Sequence, residues 1–155
     1  WRSQFTPVRD ELVFGDQEEM GLGMRLATPL AVDRKQGGRL VDDQGRRNES
    51  QVWSQVVDWV DYAGPLEGQW VGMTLMASPR NFRRSWAHAR DYGLAALNPF
   101  GRKAFTGQEE SSVVVRRGET LVLTYAVVIH ESNAESDIDL AGMYRDFVAR
   151  TSNFP

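Results

Sequence analysis

The sequence predicts an all-β fold, an antiparallel β-sandwich closed by one C-terminal α-helix. Three observations carry that prediction: short runs rich in β-formers recur along the chain, turn residues separate them, and one late segment has helical periodicity. The runs cover residues 11–14, 23–32, 39–41, 59–62, 71–76, 112–115 and 120–130. Gly15-Asp16, Gly37-Gly38, Asp43-Gln44-Gly45, Gly64-Pro65, Glu67-Gly68 and Arg117-Gly118 break them, each supplying a residue that tolerates positive φ or fixes a bend. Arg117-Gly118-Glu119 reads as a tight hairpin turn. In the last run Leu121, Leu123, Tyr125, Val127 and Ile129 share one face, and Val122, Ala126 and Val128 make the other face apolar as well. A strand covered on both faces is central in its sheet. Over 137–150, Ile138, Leu140, Ala141, Tyr144, Phe147 and Val148 recur at helical spacing, Ser136 with Asp139 reads as a capping box, and Arg145 and Arg150 suit the C-terminal end. Gly142 costs such a helix about 1 kcal/mol relative to Ala, which predicts close approach of a neighbouring element.

The length of 155 residues is that of one domain, spanning 1–155. Hydrophobic residues at 41% and charged residues at 25% exclude a disordered chain or a coiled coil. A net charge of -3 argues against nucleic acid as a partner, because that affinity comes from neutralising phosphates. The longest apolar-looking run, 121–129, is far short of the roughly 20 residues a spanning helix needs, so no membrane segment is expected. The chain is expected to be soluble, and the absence of cysteine leaves cytoplasm and periplasm equally open. It opens abruptly at Trp1 inside a strand-like stretch, as a mature form or a fragment would.

Residues 46–49, 58–62, 79–93 and 98–101 crowd together aromatics, arginines, carboxylates and a histidine, in what reads as a long loop of the kind that carries a binding site on a rigid scaffold. His88 and Asp91 share a side if the segment turns helically, although a strand fits equally well. A histidine beside a carboxylate serves as general acid or base, and Asp61, which with Asp58 and the nearby Glu49 suggests paired carboxylates, is the second candidate for proton transfer. Arg90 and Arg47 offer planar forks of donors to a ligand, with Glu49 and Asn98 as further polar contacts. Trp86, set among arginines, reads as an exposed stacking platform for a sugar ring, with Tyr92 beside it. Trp59 and Trp70 read as core, and His130 as a solvent-facing strand end.

Residues 59–64, Gly72-Met73-Thr74-Leu75, Asn81, the stretch Trp86 to Gly93, Asn98-Pro99-Phe100-Gly101, Arg47-Asn48-Glu49 and the closing Gly118-Glu119-Thr120-Leu121 strand together resemble the PmoA-like family, a bacterial domain of unknown function. The resemblance runs from about Leu12 to Val148. Family members are longer at the N-terminus, so it implies a C-terminal portion here. The methane monooxygenase subunit that lends the family its name is a bundle of membrane helices, and methane oxidation is not expected of a chain without a spanning segment.

Two functional classes follow. One is a carbohydrate-active enzyme, a hydrolase, lyase or mutarotase-like protein, in which His88 and a carboxylate from Asp91 or Asp61 move protons. The other is a non-catalytic carbohydrate-binding or assembly module using the same segment for recognition. The sequence leaves any cofactor unknown and assigns no metal, since with two histidines and no cysteine a copper or iron site would depend on carboxylates and on residues outside this chain. The expected partner is a small molecule or glycan, and open sheet edges would promote pairing with a second copy.

Overall fold

The structure, a computed structural model, describes residues 1–152. Strands β1 (Arg2–Phe5), β2 (Glu11–Phe14) and β3 (Leu22–Arg25) lead into two short 3-10 turns and β4 (Arg39–Asp42). A five-residue helix α1 (Asn48–Val52) precedes β5 (Val56–Val57), β6 (Trp59–Leu66) and β7 (Gln69–Ala77). Then come β8 (Ser85–Arg90), β9 (Leu94–Asn98), helix α2 (Arg102–Thr106), β10 (Val113–Arg116), β11 (Leu121–Ser132) and helix α3 (Leu140–Thr151).

The predicted all-β class is what forms, and every strand pairing is antiparallel. A five-stranded sheet runs β1-β11-β7-β6-β4, a four-stranded sheet runs β3-β9-β8-β5, and β10 with β2 makes a separate ribbon. Alternation explains how the two larger sheets close on each other. Leu40, Val60, Tyr62, Leu75, Leu123 and Tyr125 from the five-stranded sheet meet Met24, Val57, Ala87, Ala89, Ala95 and Leu97 from the four-stranded one in a single buried cluster. The opposite face of the five-stranded sheet packs Val41, Trp59 and Met76 against Phe147 of α3. That accounts for most of the apolar character of β11: Leu123 and Tyr125 lie in the sandwich core and Ala126 and Val128 beneath α3, while Val127 and Ile129, beyond the stretch paired with β1, are exposed.

Local expectations shift in four places. The run 23–32 stays extended only to Arg25, because Pro29 and the 3-10 turns at Thr28–Leu30 and Val32–Arg34 take over. Gly64-Pro65 lies inside β6, where Gly64 permits close approach to Gly38, and the hairpin turn comes at Glu67-Gly68, both with positive φ. Helix α3 starts later than predicted: Asp139 is its N-cap and accepts from the Gly142 N–H at 2.8 Å, whereas the Ser136 hydroxyl contacts only Asp137. Gly142 is explained by that cap, since a Cβ there would collide with the Asp139 carboxylate rather than with another element. Finally, the stretch read as a long loop is largely the β8–β9 hairpin.

Candidate functional site

The β8–β9 hairpin sets the site. Ala87 and Ala89 point inward to the sandwich, so alternation turns Trp86, His88 and Arg90 to the outer face of the four-stranded sheet. Asn98 stands opposite Trp86 in the register, and Ala96 opposite His88. Over these outward residues lies the irregular segment between β2 and β3, anchored by Asn98, whose amide donates to the Gln17 and Glu18 carbonyls at 2.7 and 3.0 Å. The Asn98 carbonyl oxygen accepts from the backbone N–H groups of Phe100 and Gly101, so this fully buried side chain is spent on holding backbone rather than on a ligand.

His88 is buried beneath the same segment, with Nδ1 3.2 Å from the Glu18 carbonyl. Arg90 donates its Nε–H to His88 Nε2 at 3.1 Å, which requires a lone pair on Nε2 and places the imidazole proton on Nδ1. Glu18 Oε1 also lies 3.3 Å from Nε2, but two acceptors face each other there and the Arg90 guanidinium bridges them. Arg90 ties the cluster together, with Nη1 on Glu49 Oε1 at 2.9 Å, Nη2 on Glu18, and the guanidinium 5.4 Å from the Trp53 ring centroid. Asp91 sits on the far side of Glu49. Its carboxylate accepts from the Glu49 N–H at 2.8 Å, and Glu49 Oε2 accepts from the Asp91 N–H at 2.9 Å, a reciprocal pair that pins the first turn of α1 to the hairpin. His88, Arg90, Glu49 and Asp91 are thus linked in series, while His88 and Asp91 do not bond to each other.

Partial burial by itself raises the Glu49 pKa, yet the Asp91 N–H and the Arg90 guanidinium outweigh it and hold the carboxyl below its ordinary value. Arg90 shows the converse balance: desolvation works against its charge, but Glu49 and Glu18 raise its pKa on balance. The outer face bears two hollows. One, of about 370 Å³, is lined by Glu19, Arg25, His88, Tyr92 and Leu94 among others, and one of about 260 Å³ lies among Glu49, Ser50, Trp53 and Arg90. Tyr92 is 45% exposed, with the Arg25 guanidinium 5.0 Å from its ring centroid. Trp86 is not the exposed platform the sequence suggested. It is 8% exposed, stacked against Phe105 of α2 with Arg83 on it, because α2 folds back over the hairpin.

Asp61 belongs elsewhere. It lies on the α3 side of the five-stranded sheet, fully buried, accepting from Thr74 Oγ1 at 2.8 Å and paired with His130 Nε2 at 2.7 Å. His130 is therefore buried, at 7% exposure, and not the solvent-facing strand end expected. Arg39 Nη2 approaches the other Asp61 oxygen at 3.3 Å, and Arg39 Nε lies 2.8 Å from Glu135. Arg47 joins this group through Glu135 at 3.2 Å, and not the cluster around Arg90. Asp58 bonds to Arg84 instead of pairing with Asp61. The sequence signal for His130 was its even position in β11, in step with Ala126 and Val128 under α3. Among the described residues no group of three or more His, Asp or Glu side chains converges to hold a metal ion, and no helix is long and apolar enough to cross a membrane.

A family model described as "Family of unknown function (DUF6807)" matches residues 1–143. The chain belongs to that family. No curated protein and no solved structure matches the chain. Membership brings no assigned chemistry, so the site itself has to carry the functional argument.

Proposed function

We propose that the outer face of the four-stranded sheet is a recognition surface for a small polyhydroxylated ligand of the carbohydrate class, and that it binds without proton transfer through His88. The observation that carries this reading is the engagement of both imidazole nitrogens, Nδ1 by the Glu18 carbonyl and Nε2 by Arg90. A general base needs a nitrogen within reach of substrate, and none is free here. The chemistry that remains is that of recognition: carboxylates and arginine forks for hydroxyl groups, with the half-exposed Tyr92 ring for a sugar face, around two adjoining hollows. The PmoA-like motifs mark the family in this reading and imply no methane chemistry. The test is a saccharide panel scored by calorimetry and by turnover of aryl glycosides. Binding that is lost in Tyr92→Ala and weakened at least tenfold in Arg25→Ala, with no turnover, supports the reading. Turnover abolished by His88→Gln in a folded protein would overturn it in favour of the enzyme.

A further inference from the structure

We propose that the α3 side of the five-stranded sheet holds a second site, for a small hydroxylated carboxylate such as a uronate, in which the chain's own Glu135 carboxylate occupies the place of the ligand's. It stands independently of the outer-face reading.

Its floor is set by register. His130 lies opposite Gly72, Gly72 opposite Ala63 and Ala63 opposite Arg39, so these four form one row across four strands. The two middle positions carry almost no side chain, and His130 and Arg39 reach inward over them from either side to meet at Asp61. A Cβ on Gly72 would collide with Ala63 and stand 2.7 Å from His130 Cε1, so glycine is what lets the imidazole lie down.

The polar groups over this floor are incompletely satisfied. His130 donates Nε2–H to Asp61, leaving Nδ1 as a buried acceptor with no hydrogen-bond partner. Arg39 Nη1 and Trp70 Nε1 are buried donors in the same condition, and the Arg39 guanidinium packs 5.4 Å from the Trp70 ring centroid. Asp61 Oδ2 receives only the ionic approach of Arg39. Buried polar atoms are nearly always paired, so several orphans around one floor mark a place where donors and acceptors await a guest. A hydroxyl suits His130 Nδ1, held in orientation by Asp61 as a base is held by its carboxylate. An anion suits Arg39.

Glu135 identifies the anion. Its Oε1 lies 2.8 Å from Arg39 Nε and 3.2 Å from Arg47 Nη2, while the Arg39 Nε–H is not aimed along a hydrogen bond. The glutamate side chain is 41% exposed, so it can swing into water without moving the backbone. A ligand carboxylate would then take both arginines, and Arg39 is better suited than lysine to receive it bidentately.

The two histidines report separately on the two sites, because His88 lies on one outer face and His130 on the other. The experiment titrates the protein with glucuronate while following both imidazole Cε1–H resonances, the His130 signal being assigned by its loss in His130→Gln. The expected result is a His130 shift with His88 unmoved, no shift with glucose, and affinity raised about tenfold in Glu135→Ala and lowered in Arg47→Ala, both substitutions lying at partly exposed positions. A His130 resonance that stays put, or affinity unchanged in Glu135→Ala, overturns the proposal. Equal response to inorganic phosphate overturns the carboxylate class, and movement of His88 alone would favour the outer face and overturn this second site.

Discussion

The Tyr62 hydroxyl donates to the Asp91 carbonyl at 2.8 Å and accepts from the Val32 N–H at 3.0 Å. A fully buried side chain of the five-stranded sheet therefore fixes the turn that carries the outer-face site. Burial pushes this phenol above its ordinary 10.0, so it remains a donor across the working pH range. In Tyr62→Phe the carbonyl and the N–H lose their shared partner, and we expect a loss of about 1–3 kcal/mol in chemical denaturation. No change in midpoint would mean that water replaces the hydroxyl.

Acid should loosen the segments around the site. Glu49 and Asp16 are both held below their ordinary values of 4.5 and 3.8. For Asp16, burial alone acts in the opposite direction but is outweighed by the backbone N–H groups of Lys103, Ser111 and Ala104. Groups with depressed folded-state pKa values contribute stability that is complete above the ordinary value and disappears as pH falls through the folded one. We expect Tm to fall below about pH 4.5, and Glu49→Gln and Asp16→Asn each to flatten that fall. Variants with the wild-type slope would refute the assignment.

The cap of α3 gives a paired comparison. Asp139→Ala should cost about 1 kcal/mol, whereas Ser136→Ala should stay within about 0.5 kcal/mol of wild type. Urea denaturation of the two variants decides it, and equal effects would show that the helix begins earlier.

Gly72→Ala tests the floor beneath His130. The added methyl has no room between Ala63 and the imidazole. We expect destabilisation of about 1–3 kcal/mol and displacement of the His130 ring from Asp61, visible as a changed imidazole resonance. A neutral effect would mean that the imidazole has space to shift.

The β class was legible because alternation and turn chemistry are local, although the apolar pattern of β11 did not show that Val127 and Ile129 stay exposed. The β8–β9 hairpin was not legible as strand. Ala87, Ala89, Ala95 and Ala96 are weak β-formers, and the charged residues alternating with them are covered by a segment some 70 positions earlier rather than by water. For the site, the clustering of His88, Arg90, Glu49 and Asp91 was visible as crowding, but Glu18 was absent from the expectation because nothing near it in sequence points to the hairpin. Asp61 was expected to work with His88, whereas the histidine it meets is His130. Its pairing with His130, 69 residues away, depends on the joint register of three strands, which a pattern read along one strand does not contain.

The separation between Glu18 and the arginine and histidine it meets, 72 and 70 residues, has a kinetic meaning. The β8–β9 hairpin closes over three residues, while bringing the β2–β3 segment across it closes a loop of nearly half the chain, an entropic toll levied before any contact repays it. The hairpin can form early, but the proposed recognition face exists only once the β2–β3 segment has closed over it. A ligand bound between Arg25 and Arg90, as proposed, would grip contacts whose closure carries the larger entropic cost. It would slow the escape from the native state and leave the rate of reaching it almost untouched.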